Sequence, residues 1–213
     1  IKGFNFKTIK NNKNISSHGD LLILANPINI RRSPYQHYDN WWLNSIKHIP
    51  KFNKINSSIL KKTTLRLSDD YQSKNMKYYI DKFFFIFKKN IDYGKINYNY
   101  LISKSRLCVF TFDSTGILEN LLLNKPTIAI LENFHNDITP EFKKKYDLLF
   151  EAKIFFHNAD EAIEHINKHW NNINDWWLSK STQKKINQFN HNLNIKGDFK
   201  RLKNLVRVIK RRV

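Results

Sequence analysis

LCVFTFDSTGILENLLLNKPTIAIL, residues 107–131, is the stretch from which the fold is read. Leu107–Thr111 is apolar and rich in β-favouring residue types, so it reads as a buried strand. Phe112–Gly116 gathers turn formers. Ile117–Leu123 then places apolar residues at helical spacing, and Asn124 is suited to closing that helix in the left-handed conformation. Pro126 leads into a second buried strand, Thr127–Leu131. Strand, turn, helix and strand in 25 residues make one βα unit of a parallel sheet.

Working outward, the same alternation of short apolar runs and longer amphipathic stretches continues from residue 19. Upstream, strands are expected at Leu21–Asn26 and Thr63–Leu67. A helix capped by Asp39, carrying Trp41, Trp42, Leu43 and Ile46, is expected to end at Pro50. Tyr71–Asn90 is ambiguous, and its FFFIF run reads as a short strand. A helix with Tyr98, Leu101 and Ile102 on its inner face follows Gly94. Downstream come a short strand at Ile154–Phe156, a helix capped by Asn158 or Asp160, a helix starting at Asp175, and an amphipathic helix over Thr182–Leu193. The fold class is α/β, a Rossmann-like parallel sheet flanked by helices, with further helices at the C-terminal end.

In open α/β sheets ligands bind outside the carboxyl ends of the strands, so the turn Asp113–Gly116 is where chemistry is sought. Amides at the following helix start favour an anion, and Ser114 and Thr115 add hydroxyls beside them. Glu119, one turn further on, is placed to reach a ribose whose phosphate rests on the helix end. A carboxylate accepts from both vicinal hydroxyls at once. The plainer alternative is that Ser114 or Asp113 caps the helix and Glu119 is a solvated charge. The local pattern leaves both open.

SRLCVFTFDSTGILENLLLNKPTIAI resembles the donor-site strand, turn and helix of GT-B glycosyltransferases. The chain is more similar still to a family of bacterial transferases from surface-polysaccharide gene clusters. The other blocks that carry this resemblance are LANPINIRRSPY, LRLSDDY and IFFHNADEAIEHINKHWNNINDWW, and together they span about residues 19–193. The resemblance implies one half of a GT-B fold, the donor-binding C-terminal half. Ser114 and Thr115 would hold the donor phosphates, Glu119 the nucleotide ribose, and Arg31 or Arg32 would neutralise the leaving phosphates. A planar, permanently charged fork suits that last task. It further implies a nucleotide-sugar as substrate, a glycan or lipid-linked acceptor, no metal and no separate cofactor, and a catalytic base supplied by an N-terminal GT-B domain.

Two departures stand out. Ser68-Asp69 occupies the place where the family often has a histidine pair, and LENFHNDITP lacks the expected Trp/Arg pattern, leaving His135 as an acceptor-side candidate or a surface histidine. A CDP-glycerol-like polyol-phosphate transferase and a non-catalytic polysaccharide- or membrane-associated module are the alternatives.

Composition bounds the remaining choices. With 213 residues, 41% of them hydrophobic and 14% aromatic, the chain is globular rather than disordered. The opening residue, Ile1, leads us to expect a piece of a longer protein. We divide it into a lead-in segment 1–18, a nucleotide-sugar-binding domain 19–195 and a basic tail 196–213. The formal charge of +19 invites a nucleic-acid reading. However, Lys, Asn and Ile number 29, 28 and 26, a bias expected from A/T-rich codons, and the positive residues are scattered except in the tail. No specific nucleic-acid partner is therefore expected. The tail alternates Leu, Val and Ile with Lys and Arg, as a basic amphipathic helix does, and such a helix packs on a partner domain or lies on an anionic membrane surface.

No run approaches the roughly 20 apolar residues of a bilayer span, and no signal peptide is visible. Cytoplasmic placement is expected, with peripheral inner-membrane contact left to the tail. Cys108, the single cysteine, is expected to be buried. Trp41-Trp42 and Trp176-Trp177 are expected to pack in the core or at a domain interface rather than stack on sugars. Glu161, His165 and His169 share one helix face, read as a solvated face rather than a metal site.

Overall fold

The computed structural model describes residues 19–25, 46–72, 76–132 and 139–192. The segments 1–18, 26–45, 73–75, 133–138 and 193–213, and with them Asp39, Trp41, Trp42 and the basic tail, lie outside the described residues. The strands are β1 (Asp20–Leu24), β2 (Thr63–Arg66), β3 (Ile91–Asp92), β4 (Ser105–Phe110), β5 (Thr127–Ile130) and β6 (Phe155–Phe156). They form one sheet in the order β3-β2-β1-β4-β5-β6, and every pairing is parallel. This is the Rossmann strand order, whose direction of travel reverses between β1 and β4.

The helices are α1 (Ser57–Leu60), α2 (Lys77–Phe83), α3 (Tyr98–Lys104), α4 (Thr115–Leu122), α5 (Pro140–Glu151), α6 (Ala159–His169), α7 (Ile173–Trp177) and α8 (Lys180–Asn192). Strands β1, β4 and β5 are buried along nearly their whole length, as expected of a parallel sheet covered on both faces. Asn124 closes the α4 turn with φ of 53°, the left-handed cap anticipated from its position. Asn97 and Asn158 cap α3 and α6 by accepting from Tyr100 N and Glu161 N.

Two expectations are corrected. FFFIF is not a strand: it ends α2 and forms the 3-10 helix Phe85–Phe87, and the strand is Ile91–Asp92 instead. Phe84 and Phe87 are fully buried whereas Phe85 is 49% exposed. The burial period is therefore three, which a turn of helix provides and a strand does not. Phe84 packs edge-on against Tyr71, and Phe87 against Phe52. Ile46 is helical and a turn follows at 47–48, while Pro50 itself sits in the first turn of the 3-10 helix Ile49–Lys54, where its missing N–H costs nothing. Asp175 lies inside the first turn of α7 rather than starting it.

The C-terminal helices are fastened to the sheet by the tryptophan pair. Trp177 is fully buried and Trp176 nearly so, consistent with core packing. The Trp176 indole donates to Ala152 O at 3.0 Å, and the Trp177 indole donates to both Asn124 O and Asn124 Oδ1. Lys51 and Lys54 both bond Asp160 at the start of α6, joining the β1–β2 connection to that helix at the surface.

Candidate functional site

The turn after β4 stands at the point where the strand order reverses. Leu24 of β1 and Phe110 of β4 are in register, and Thr111 ties the two strand ends by donating its N–H and its hydroxyl to Leu24 O. Beyond Thr111 the chain leaves the sheet through Phe112 and Asp113 and enters α4 at Thr115.

Ser114 is the N-cap residue, with extended backbone, and its Oγ accepts from Gly116 N at 3.2 Å. The capping role is therefore real for Ser114. It does not exclude a second one, because a hydroxyl that accepts from an amide still has its own proton to give. Thr115 is exposed beside it and takes no part in that cap. The Asp113 side chain also reaches solvent, yet the protein around it partly desolvates the carboxyl and pushes its pKa up, against the opposing pull of a hydrogen bond from Ser114 N–H.

Helix α4 has two flanks at this end. On one, Asp113, Ser114, Thr115 and Leu118 meet Tyr146 of α5 around a cavity of about 270 Å³. That lies just under the ~300–1,000 Å³ typical of ligand pockets, so it suits one moiety of a ligand rather than a whole nucleotide-sugar. On the other flank, Gly116 packs against Tyr98 and Phe110, and the Arg66 guanidinium stands 5.8 Å from the Tyr98 ring centre. Burial raises the Tyr98 hydroxyl pKa, with Glu119 among the negative groups that reinforce it and Arg66 opposing. Glu119 therefore stands within electrostatic reach of Tyr98.

Gly116 is needed here for space. A Cβ at this position would fall 2.7 Å from the Tyr98 hydroxyl and 3.1 Å from the fully buried Phe110 ring. Gly116→Ala is expected to cost about 1–3 kcal/mol through overpacking, measured by urea unfolding, although alanine is the better helix former.

The model of the LIC12162 family transferases matches residues 4–204. The chain belongs to the LIC12162 transferase family. It is an enzyme of the group-transferring class. No curated protein and no solved structure matches it.

Of the site residues expected from the sequence of this LIC12162 family member, Ser114, Thr115 and Glu119 lie together on the first turns of α4. Arg31, Arg32 and His135 lie outside the described residues. Sequence reasoning left Tyr98, Leu118 and Tyr146 unassigned to the site. They reach it from α3, from within α4 and from α5, and no local motif marks them.

The face of Glu161, His165 and His169 is not simply a solvated one. His165 is half-buried, its ring 4.6 Å from that of Trp176 and 4.4 Å from that of His169. Its Nε2 is buried without a hydrogen-bond partner. Among the described residues no three His, Cys, Asp or Glu side chains gather to hold a metal, and no helix is long and apolar enough to cross a membrane. Cys108 is fully buried, and burial pushes its thiol pKa up, away from thiolate reactivity.

His165 supplies a test of acid stability. Burial, and then the charges of His169, Lys153 and Lys168, lower its pKa to about 3. The unfolded chain therefore binds a proton between pH 6.5 and 3 that the folded chain refuses, and the associated stability is complete above pH 6.5 and is lost as the pH falls through that window. His165→Gln is expected to show a shallower loss of unfolding free energy from pH 6.5 to 4.5 than the parent chain, as read from urea titrations at each pH.

Proposed function

We propose that the chain is the donor-binding half of a GT-B type glycosyltransferase, acting on a nucleotide-activated sugar and a surface-polysaccharide or lipopolysaccharide-type acceptor. The observation that carries this reading is the position of Asp113–Glu119 at the switch point of a parallel sheet in Rossmann order, where open α/β sheets bind ligands. Transferase family membership supports it. In this reading the donor phosphates rest on the start of α4, against the Ser114 and Thr115 hydroxyls. Glu119 accepts from the ribose hydroxyls, and the cavity beside Leu118 and Tyr146 receives the sugar.

The reaction displaces a nucleoside phosphate from the sugar carbon. Charge builds on the leaving phosphates, where hydrogen-bond donors and cations lower the barrier most. The helix start is one such group, and Arg31 or Arg32 is the cation we assign to the task. An N-terminal GT-B domain supplies the acceptor site and the catalytic base, so this half binds donor and transfers little by itself.

Titration calorimetry of the chain against CMP, CDP, UDP, GDP and ADP tests the proposal. At least one is expected to bind with millimolar to micromolar affinity, roughly 4–8 kcal/mol. With a formal charge of +19, loose ion pairing must be separated from a site, so the titration is repeated in added salt. Screening removes exposed charge attraction but leaves hydrogen bonds to the ribose. Silence across the panel with a folded chain, or binding that vanishes in salt for every nucleotide alike, sinks the reading.

A further inference from the structure

Arg66 is the last residue of β2 and is in register with Leu24, which is in register with Phe110. Partners in register on parallel strands present their side chains to the same face of the sheet. Arg66 therefore shares the face on which Phe110 supports Gly116 and α4, with Tyr98 between them. From the start of α4 the order outward is Gly116, then the Tyr98 ring with its hydroxyl end against Gly116, then Arg66.

The guanidinium is held in one orientation. Its Nη1 donates to Asp92 Oδ2 and to Ile96 O, and Asp92 is fixed in turn by accepting from Lys95 N and Ile96 N. Asp92 is 4% exposed at its side chain and Arg66 18%. An arginine has five N–H donors; two are engaged here, and the three on Nε and Nη2 have no partner among the described residues. A fold that needed only a positive charge beside Asp92 would be served by lysine. The oriented, partly unused fork is what calls for an explanation.

We propose that Arg66 is the base-reading residue of the donor site, donating to a carbonyl oxygen of the nucleobase, so that uracil, cytosine or guanine nucleotides are accepted in preference to adenine ones. The inference rests on the reading of Asp113–Glu119 as the nucleotide site. With phosphates on the start of α4 and ribose at Glu119, the base end of the nucleotide is the end that lies toward Tyr98 and Arg66. A base carbonyl fits this guanidinium better than a phosphate does. Asp92 already neutralises its charge, and Glu119 on the same flank repels a dianion, whereas a neutral acceptor needs only the oriented donors. Arginine forks recognise base carbonyl edges in this way.

The experiment is calorimetric titration of the full 213-residue chain with UDP, CDP, GDP, ADP and, as a base-free probe, inorganic pyrophosphate, repeated with Arg66→Lys and Arg66→Gln. Arg66→Lys keeps a cation beside Asp92, and urea unfolding of each variant shows whether it is folded. The expected result is that the parent chain binds at least one of UDP, CDP and GDP about tenfold more tightly than ADP. Both variants lose that preference, and pyrophosphate affinity stays within about twofold. Equal or tighter ADP binding by the parent chain overturns the inference while leaving the nucleotide site standing. So does an undiminished preference in folded Arg66→Lys, or a loss that extends equally to pyrophosphate. A parent chain that binds no nucleotide overturns both.

Discussion

Trp177→Ala is expected to destabilise the chain by about 3–5 kcal/mol, the range for emptying a buried tryptophan site. That is a large share of the roughly 5–15 kcal/mol that holds a domain folded. Trp177 is 0% exposed, and its loss removes more than apolar contact. Its indole is bonded to both Asn124 O and Asn124 Oδ1, and Gln183 Nε2 bonds Asn124 Oδ1 and Trp177 O. Asn124 is the left-handed residue that closes α4, so one side chain ties the C-terminal helices to the far end of the helix that begins at the site. Trp177→Phe separates the two parts, because it keeps most of the ring and deletes the N–H. It is expected to cost about 0.5–1.5 kcal/mol, the net worth of a hydrogen bond, because Asn124 is half-buried and its Oδ1 keeps the bond from Gln183 Nε2. Urea unfolding of both variants gives the two numbers, and equal costs would mean that packing at Trp177 counts for nothing beyond the hydrogen bond.

Glu119→Gln carries the second large effect, in ligand affinity rather than stability. If Glu119 accepts from the ribose hydroxyls, the substitution is expected to weaken nucleotide binding by about 1–3 kcal/mol, roughly 5- to 150-fold, with little change in unfolding free energy. As a solvated helix residue it would do the reverse, with about 0.3–1 kcal/mol lost from stability and none from affinity. A 2′-deoxynucleotide closes the cycle. Removing the hydroxyl is expected to cost the parent chain affinity and to cost Glu119→Gln much less, since the two changes delete the same bond. Equal penalties in both proteins would show that carboxylate and ribose do not touch.

Much of the fold was legible because its central unit is strongly patterned. The strand, turn, helix and strand at residues 105–130 fall within about two residues of where apolar spacing, Asn124 and Pro126 place them. The FFFIF run misled for a physical reason. Five apolar residues in a row carry no period, and only the partners that bury Phe84 and Phe87, namely Tyr71 and Phe52, reveal a period of three. Strand order was not legible either, since each strand end reads alike until pairing shows that β1 lies between β2 and β4.

The same limit applies to the site. Ser114, Thr115 and Glu119 are neighbours in sequence and could be found together, whereas Tyr98, Tyr146 and Arg66 come from three other elements. Arg66 did carry one usable signal, a charged residue at the carboxyl end of a buried strand. Its worth depends on knowing that the strand is next to the switch point. For Ser114 the structure shows the capping role, its hydroxyl accepting from Gly116 N, and places the residue in the lining of the cavity.

Amide hydrogen exchange, with and without the tightest-binding nucleoside diphosphate, tests the central claim most directly because it reports where the ligand sits. Slowed exchange is expected to centre on residues 113–119 and the adjoining segments of α3 and β2, with residues 196–213 unaffected. Protection confined to the basic tail, or spread evenly over the positive surface with none at 113–119, would contradict a donor site at the β1–β4 switch point.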